Sequence, residues 1–238
     1  MLETMTGPGI DDRGQSAVPR RAEAGFAPRS SSTFGREVSF FDAVYGFAAT
    51  LLIANVDAPP ADAWQSMDAL LASGAGAQLL GFALSFTVIA VMWRVNVRLT
   101  RRLTGLDGVT AAVNLAAAAS VVLIAFTTQG ISDPDSQGYP LSTALYAANI
   151  ALAALLQTVM FQIARARGLE RMPSSRRQNL LDTAGALVTP LIFAVSIPIA
   201  LTWGSDAGKW TWATAILLGP AVGTLAARAS SSDSPGSR

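Results

Sequence analysis

The chain of 238 residues contains no cysteine and no histidine. Disulfides, thiol nucleophiles, cysteine–histidine zinc clusters and histidine general bases are therefore excluded. Lysine is nearly absent as well: of 17 basic residues, Lys209 alone is not arginine. Charge of any kind is scarce, at 14% of residues against roughly 25% in a soluble domain. A net charge of +1 gives no electrostatic reason to expect a nucleic-acid partner. No phosphate-cradling glycine loop, carboxylate pair or nucleophile–base arrangement is present. The expectation is accordingly no enzyme, no catalytic residue, no metal site and no cofactor.

What the chain has instead is apolar length. Hydrophobic residues make up 51% of it, and its mean hydropathy is +0.39. Roughly 20 mainly apolar residues suffice to cross the hydrocarbon core of a bilayer. Six stretches meet or approach that length: Val38–Val56, Ala77–Val95, Ala111–Ile131, Ser142–Ile163, Ala184–Trp203 and the shorter Trp212–Ala227. Asp57-Ala-Pro59-Pro60 stops the first, and Pro190 and Pro198 are expected to kink the fifth. The fold class this predicts is an all-α membrane protein with six transmembrane helices per subunit.

The connections orient these spans. Arg13, Arg20, Arg21, Arg29 and Arg36 precede the first, and Arg94, Arg98, Arg101 and Arg102 follow the second. Arg165, Arg167, Arg171, Arg176 and Arg177 lie between the fourth and fifth. The other connections carry Asp57, Asp62, Asp68, Asp133, Asp135 and Asp206, with Lys209 as their one base. That alternation follows the positive-inside rule and predicts both termini in the cytoplasm of a multi-pass cell-membrane protein. Trp203, Trp210 and Trp212 are expected at the outer membrane interface. Residues 1–35 read as a disordered cytoplasmic tail rather than a signal peptide, 36–228 as the transmembrane domain, and 229–238 as a disordered C-terminal tail. Pro-Ser-Ser-Arg-Arg at 173–177 reads as an exposed cytoplasmic turn.

Polar groups inside the spans are few, and Asp42 is the only acidic one. A proton- or sodium-driven transporter would more often carry a carboxylate at the membrane midplane. On the first helix, steps of three and four from Ala43 reach Phe47, Thr50 and Ala54, a stripe with one hydroxyl among apolar positions. By pattern alone this suits an ordinary helix–helix contact, with Thr50 bonding its own preceding carbonyl.

Longer motifs add to that reading. Arg36-x-x-x-Phe40-Phe41-Asp42-Ala43, followed by Ala49-Thr50-Leu51-Leu52, resembles the RxxxFSDG…TLL opening of the lysosomal-type potassium channels. These form the transmembrane protein 175 family, here in its bacterial single-repeat branch. Leu84-Ser85-Phe86-x-Val88-Ile89 with Trp93-x-x-Asn96 is similar to the family's SFxVIxxxWxxH, and Asn114-Leu115 to its NL segment. Leu145-Tyr146-x-x-Asn149 and Phe193-x-x-Ser196-Ile197-Pro198 continue the likeness, which covers roughly Arg36–Ala227 in order.

The resemblance implies a homotetramer in the lipid bilayer, with the first helices around a central pore for potassium or other monovalent cations. It assigns the pore and its selectivity to Phe47, Thr50 and Ala54, with Phe47 as the hydrophobic constriction. It also implies a structural polar network of Arg36, Phe40, Asp42, Asn96 and Asn114. The chain departs from the family at Phe41 for serine, Ala43 for glycine, Asn96 for histidine and Asn55 for an acidic residue. The leading expectation is a passive potassium-permeable cation channel. A secondary transporter for a small solute, or a non-conducting membrane scaffold, are the alternatives.

Overall fold

The computed structural model describes residues 25–212. Five of its helices are long and apolar enough to cross a membrane: α1 (Ser32–Leu51, continued as a tight 3-10 turn over Leu52–Asn55), α3 (Ala75–Arg101), α4 (Gly108–Ser132), α5 (Pro140–Ala166) and α6 (Arg176–Trp203). A short helix, α2 (Met67–Ala72), lies in the connection between α1 and α3. The expected sixth span, Trp212–Ala227, lies outside the described residues except for Trp212, as do residues 1–24 and the C-terminal tail.

The apolar runs become helices because a bilayer leaves each backbone polar group no partner but its own segment. The helix ends are set by polar caps that hydropathy does not register. α1 begins at Ser32, ahead of the apolar run, because the Ser31 hydroxyl accepts the Phe34 N–H (3.2 Å) and itself donates to the Pro28 carbonyl (2.6 Å). Asp107 caps α4 in the same way through Thr110, and Ser175 caps α6 through Gln178. The expected turn at 173–177 therefore already holds the first two residues of α6. α6 runs continuously through Pro190 and Pro198 to Trp203.

α4 is the hub. It packs on α1, α3 and α5, while α5 packs on α6. The core is built of small residues, such as Ala117, Ala118, Ala147 and Ala153, around the larger Tyr45, Ile89, Ile124 and Tyr146. Small side chains let helix backbones approach closely where no water drives them together. At Gly81 of α3 the approach is close, since a Cβ there would meet the Ser132 Cβ at 2.4 Å. A buried hydroxyl chain crosses three helices: Thr128 donates to Ser85 (2.7 Å), which pairs with the Tyr146 phenol (3.0 Å).

The segments bearing most of the arginines converge on one end of the bundle. There β1 (Ala27–Pro28) pairs antiparallel with β2 (Gly105–Leu106), and Leu103 bridges to Glu170. Residues 27 and 28 thus form structure within the stretch expected as a tail. The acidic connections meet at the opposite end, where Asp57 pairs with Gln78 and both Ser205 and Lys209 donate to the Gln137 carbonyl. Trp203 and Trp210 are exposed as an interfacial position requires, but Trp212 is buried. Its indole donates to the Ser196 hydroxyl at 2.9 Å and stacks on Phe193, so it is a packing residue.

Candidate functional site

α1 has two unlike faces. Phe34, Phe41, Tyr45, Ala48 and Leu52 recur at helical spacing and bury themselves against α3 and α4. On the other side Ala43, Phe47, Thr50 and Ala54 are all exposed, Phe47 at 71%. All three residues expected to line a pore therefore share the side of α1 turned away from its own bundle. The Thr50 hydroxyl donates to the Phe47 carbonyl at 2.9 Å. Its proton is committed to the helix, so its oxygen lone pairs face outward, where they can act only as acceptors.

The buried face holds α1 at a fixed rotation. Gln157 of α5 donates its amide both to the Tyr45 phenol (2.7 Å) and to the Met92 carbonyl of α3 (2.9 Å), joining three helices around one group. At the end of the helix, the Asn55 amide donates to the Ala125 carbonyl of α4. Two residues on, Asp57 and Gln78 exchange hydrogen bonds of 2.9 and 3.0 Å. Asn55 is thus an anchor for the start of the connection that follows α1.

The five residues expected in one polar network divide within the chain. Asn96 donates its amide to the Asn114 carbonyl oxygen, and both are buried. Asp42 is exposed and accepts the Trp93 indole N–H at 2.8 Å. Arg36 and Phe40 are exposed on earlier turns, and Phe40 meets Phe41 edge-on. The Phe41 ring takes the inward position on this turn, and Asp42 sits about 100° further round the helix.

Glu170, a lone acid among arginines, organises the arginine-rich end. Its side chain is 4% exposed and bonds Arg102 (3.0 Å) and the Ser174 hydroxyl (2.7 Å), with Arg165 at 3.6 Å. Arg102 also pairs with Asp182 (2.9 Å) and lies over the Phe161 ring. Burial pushes the Glu170 carboxyl upward, but the Ser174 hydroxyl and N–H, Arg102 and Arg165 outweigh it and hold the group below its ordinary range. Asp107 is lowered likewise: burial opposes, and the Thr110 cap and the paired Arg167 prevail. A lone glutamate within an arginine run was the signal for this cluster.

Residues 36–124 match the model of the family described as endosomal/lysosomal potassium channel TMEM175. The fold is similar to the crystal structure of a lysosomal potassium-selective channel TMEM175 homologue from Chamaesiphon Minutus, with a TM-score of 0.63 at 18% identity. The similarity covers 82% of this chain and 99% of that one. No curated protein matches the chain. The matched segment carries α1, α3 and most of α4, including Phe47, Asp42, Asn96 and Asn114, and its family is one of ion channels rather than enzymes. By that segment, the chain is similar to the TMEM175 family, and by its fold to a TMEM175 homologue.

Proposed function

We propose that the chain is the subunit of a potassium-permeable cation channel, a homotetramer whose α1 helices surround a central passage. The observation that carries this reading is the exposure of Phe47, Thr50 and Ala54 together on α1, opposite the face that its own bundle buries. The match of residues 36–124 to the potassium-channel family model and the name of the Chamaesiphon Minutus channel support potassium as the ion.

Four Phe47 rings around an axis would form an apolar constriction. An ion passing it gives up water contacts, because the ring offers no oxygen in exchange. The Thr50 hydroxyls, with lone pairs turned outward, would return part of that coordination one turn further along. Ala54 would then widen the passage, since its methyl, like that of Ala43, is the smallest side chain on the stripe. Conduction would be passive, and no arginine-rich span among the described helices would couple it strongly to voltage.

Potassium flux into liposomes tests the reading. Reconstituted protein should conduct, and Phe47→Ala should raise the flux severalfold by relieving the constriction. Absence of flux from the wild type, together with no effect of Phe47→Ala, would remove the channel reading. Saturable counterflow of a labelled small solute without current would replace it with a transporter.

A further inference from the structure

The arginine-rich end of the bundle contains a hollow that conduction along α1 does not use. It has a volume of about 490 Å³ and is lined by Arg101, Arg102, Glu170, Arg171, Ser174 and Gln178, with Met172 beside them. Three guanidinium groups against one carboxylate leave this lining with two surplus positive charges.

Those charges are unequal in what they can do. Arg102 is spent within the protein on Glu170, Asp182 and Ser174, and Glu170 is in turn occupied by Arg102, Arg165 and Ser174. Arg101 and Arg171 are exposed, and neither forms an ion pair among the described residues. The loops carrying them are held together by backbone bonds, Arg171 N–H to the Arg102 carbonyl (2.9 Å) and Thr104 N–H to the Leu169 carbonyl (2.8 Å). The two open guanidinium forks therefore sit on a wall already fixed in place. A fork of parallel N–H donors matches the oxygens of a phosphate.

We propose that this hollow binds the phosphate headgroup of an anionic phospholipid, with Arg101 and Arg171 as its ligands and the Gln178 amide as a further donor. Two observations favour a lipid over a dissolved phosphate. The hollow lies where α3 and α5 end, at Arg101 and Ala166, which is where headgroups meet membrane-spanning helices. Met172, next to Arg171, is 82% exposed, an apolar side chain suited to the glycerol and upper acyl region.

Binding to the full-length protein in detergent micelles tests the assignment without reading ion flux. Native mass spectrometry would compare dioleoyl phosphatidic acid, dioleoyl phosphatidylcholine and inorganic phosphate as probes. Phosphatidic acid should bind in preference to phosphatidylcholine. Arg101→Ala/Arg171→Ala should weaken it by about tenfold or more, as each change removes a direct charge-assisted hydrogen bond to the phosphate. Arg94→Ala/Arg98→Ala removes equal charge from the exposed side of α3 and should leave the affinity within about twofold. Arg101→Lys/Arg171→Lys, which keeps the charge and loses the forks, should fall between. The proposal is overturned if wild type shows no preference for phosphatidic acid, if the Arg101/Arg171 variant binds as well, or if the Arg94/Arg98 variant loses as much. Equal binding of inorganic phosphate, lost in the same variant, would overturn the lipid and assign a soluble phosphate to the hollow.

Discussion

Thr50 is the one residue on the exposed stripe of α1 that can offer an ion anything but hydrocarbon. Its proton is held by the Phe47 carbonyl, which leaves an acceptor facing outward. Thr50→Val keeps the shape and removes the oxygen. Potassium-over-sodium permeability, measured from bi-ionic reversal potentials, should change by about 1 kcal/mol, roughly fivefold. An unchanged ratio would exclude Thr50 from the ion path. Deep in the bundle, the Asn96–Asn114 pair has a structural task. Asn114→Ala strands the buried Asn96 amide and should cost about 1–3 kcal/mol. Alanine at both positions should cost less than the sum of the single changes, which thermal unfolding in detergent would reveal. This pair was readable by its likeness to the family's motif. The separation of Asp42 from it was not, because a motif does not record that Phe41 takes the buried position and Asp42 turns to the Trp93 indole.

The elements themselves were legible wherever long apolar runs met the bilayer requirement, as in α3, α4 and α5. Their ends were less so. Hydropathy does not record that a Ser31 or Ser175 hydroxyl satisfies a first-turn N–H, so α1 and α6 start earlier than their apolar cores. The Glu170 cluster was missed because charges were read for orientation and not for pairing. α3 and α4 leave no room for a Cβ at Gly81 against Ser132, and Gly81→Val should cost about 1–3 kcal/mol through overpacking. At the other end of the bundle, Glu170 gives stability a pH dependence. Its folded-state carboxyl is lowered from the ordinary 4.5, so its contribution is complete above that pH and is lost as pH falls through the lower, folded-state value. Glu170→Gln should lower the melting temperature at neutral pH. It should also flatten the decline of melting temperature below pH 4.5, and a decline as steep as in wild type would contradict the assignment.

For the whole molecule, the chain supplies a braced α1 whose outward stripe is left uncovered by the described residues. Gln157, Asn55 and the Asp57–Gln78 pair fix the rotation of that helix, so the stripe meets whatever surrounds the subunit in one orientation. Four copies about an axis would give it a function; lipid around a single copy would not. A mass in mild detergent corresponding to a tetramer is the expected assembly, and a monomer would leave Phe47 without a pore to narrow. The absence of cysteine makes a sharper experiment possible, since Phe47→Cys places a single thiol in the chain. A charged thiol reagent should then block potassium flux through the reconstituted Phe47→Cys protein and spare Val91→Cys, on an exposed position of α3. Full modification of Phe47→Cys with flux unchanged would contradict a passage lined by α1.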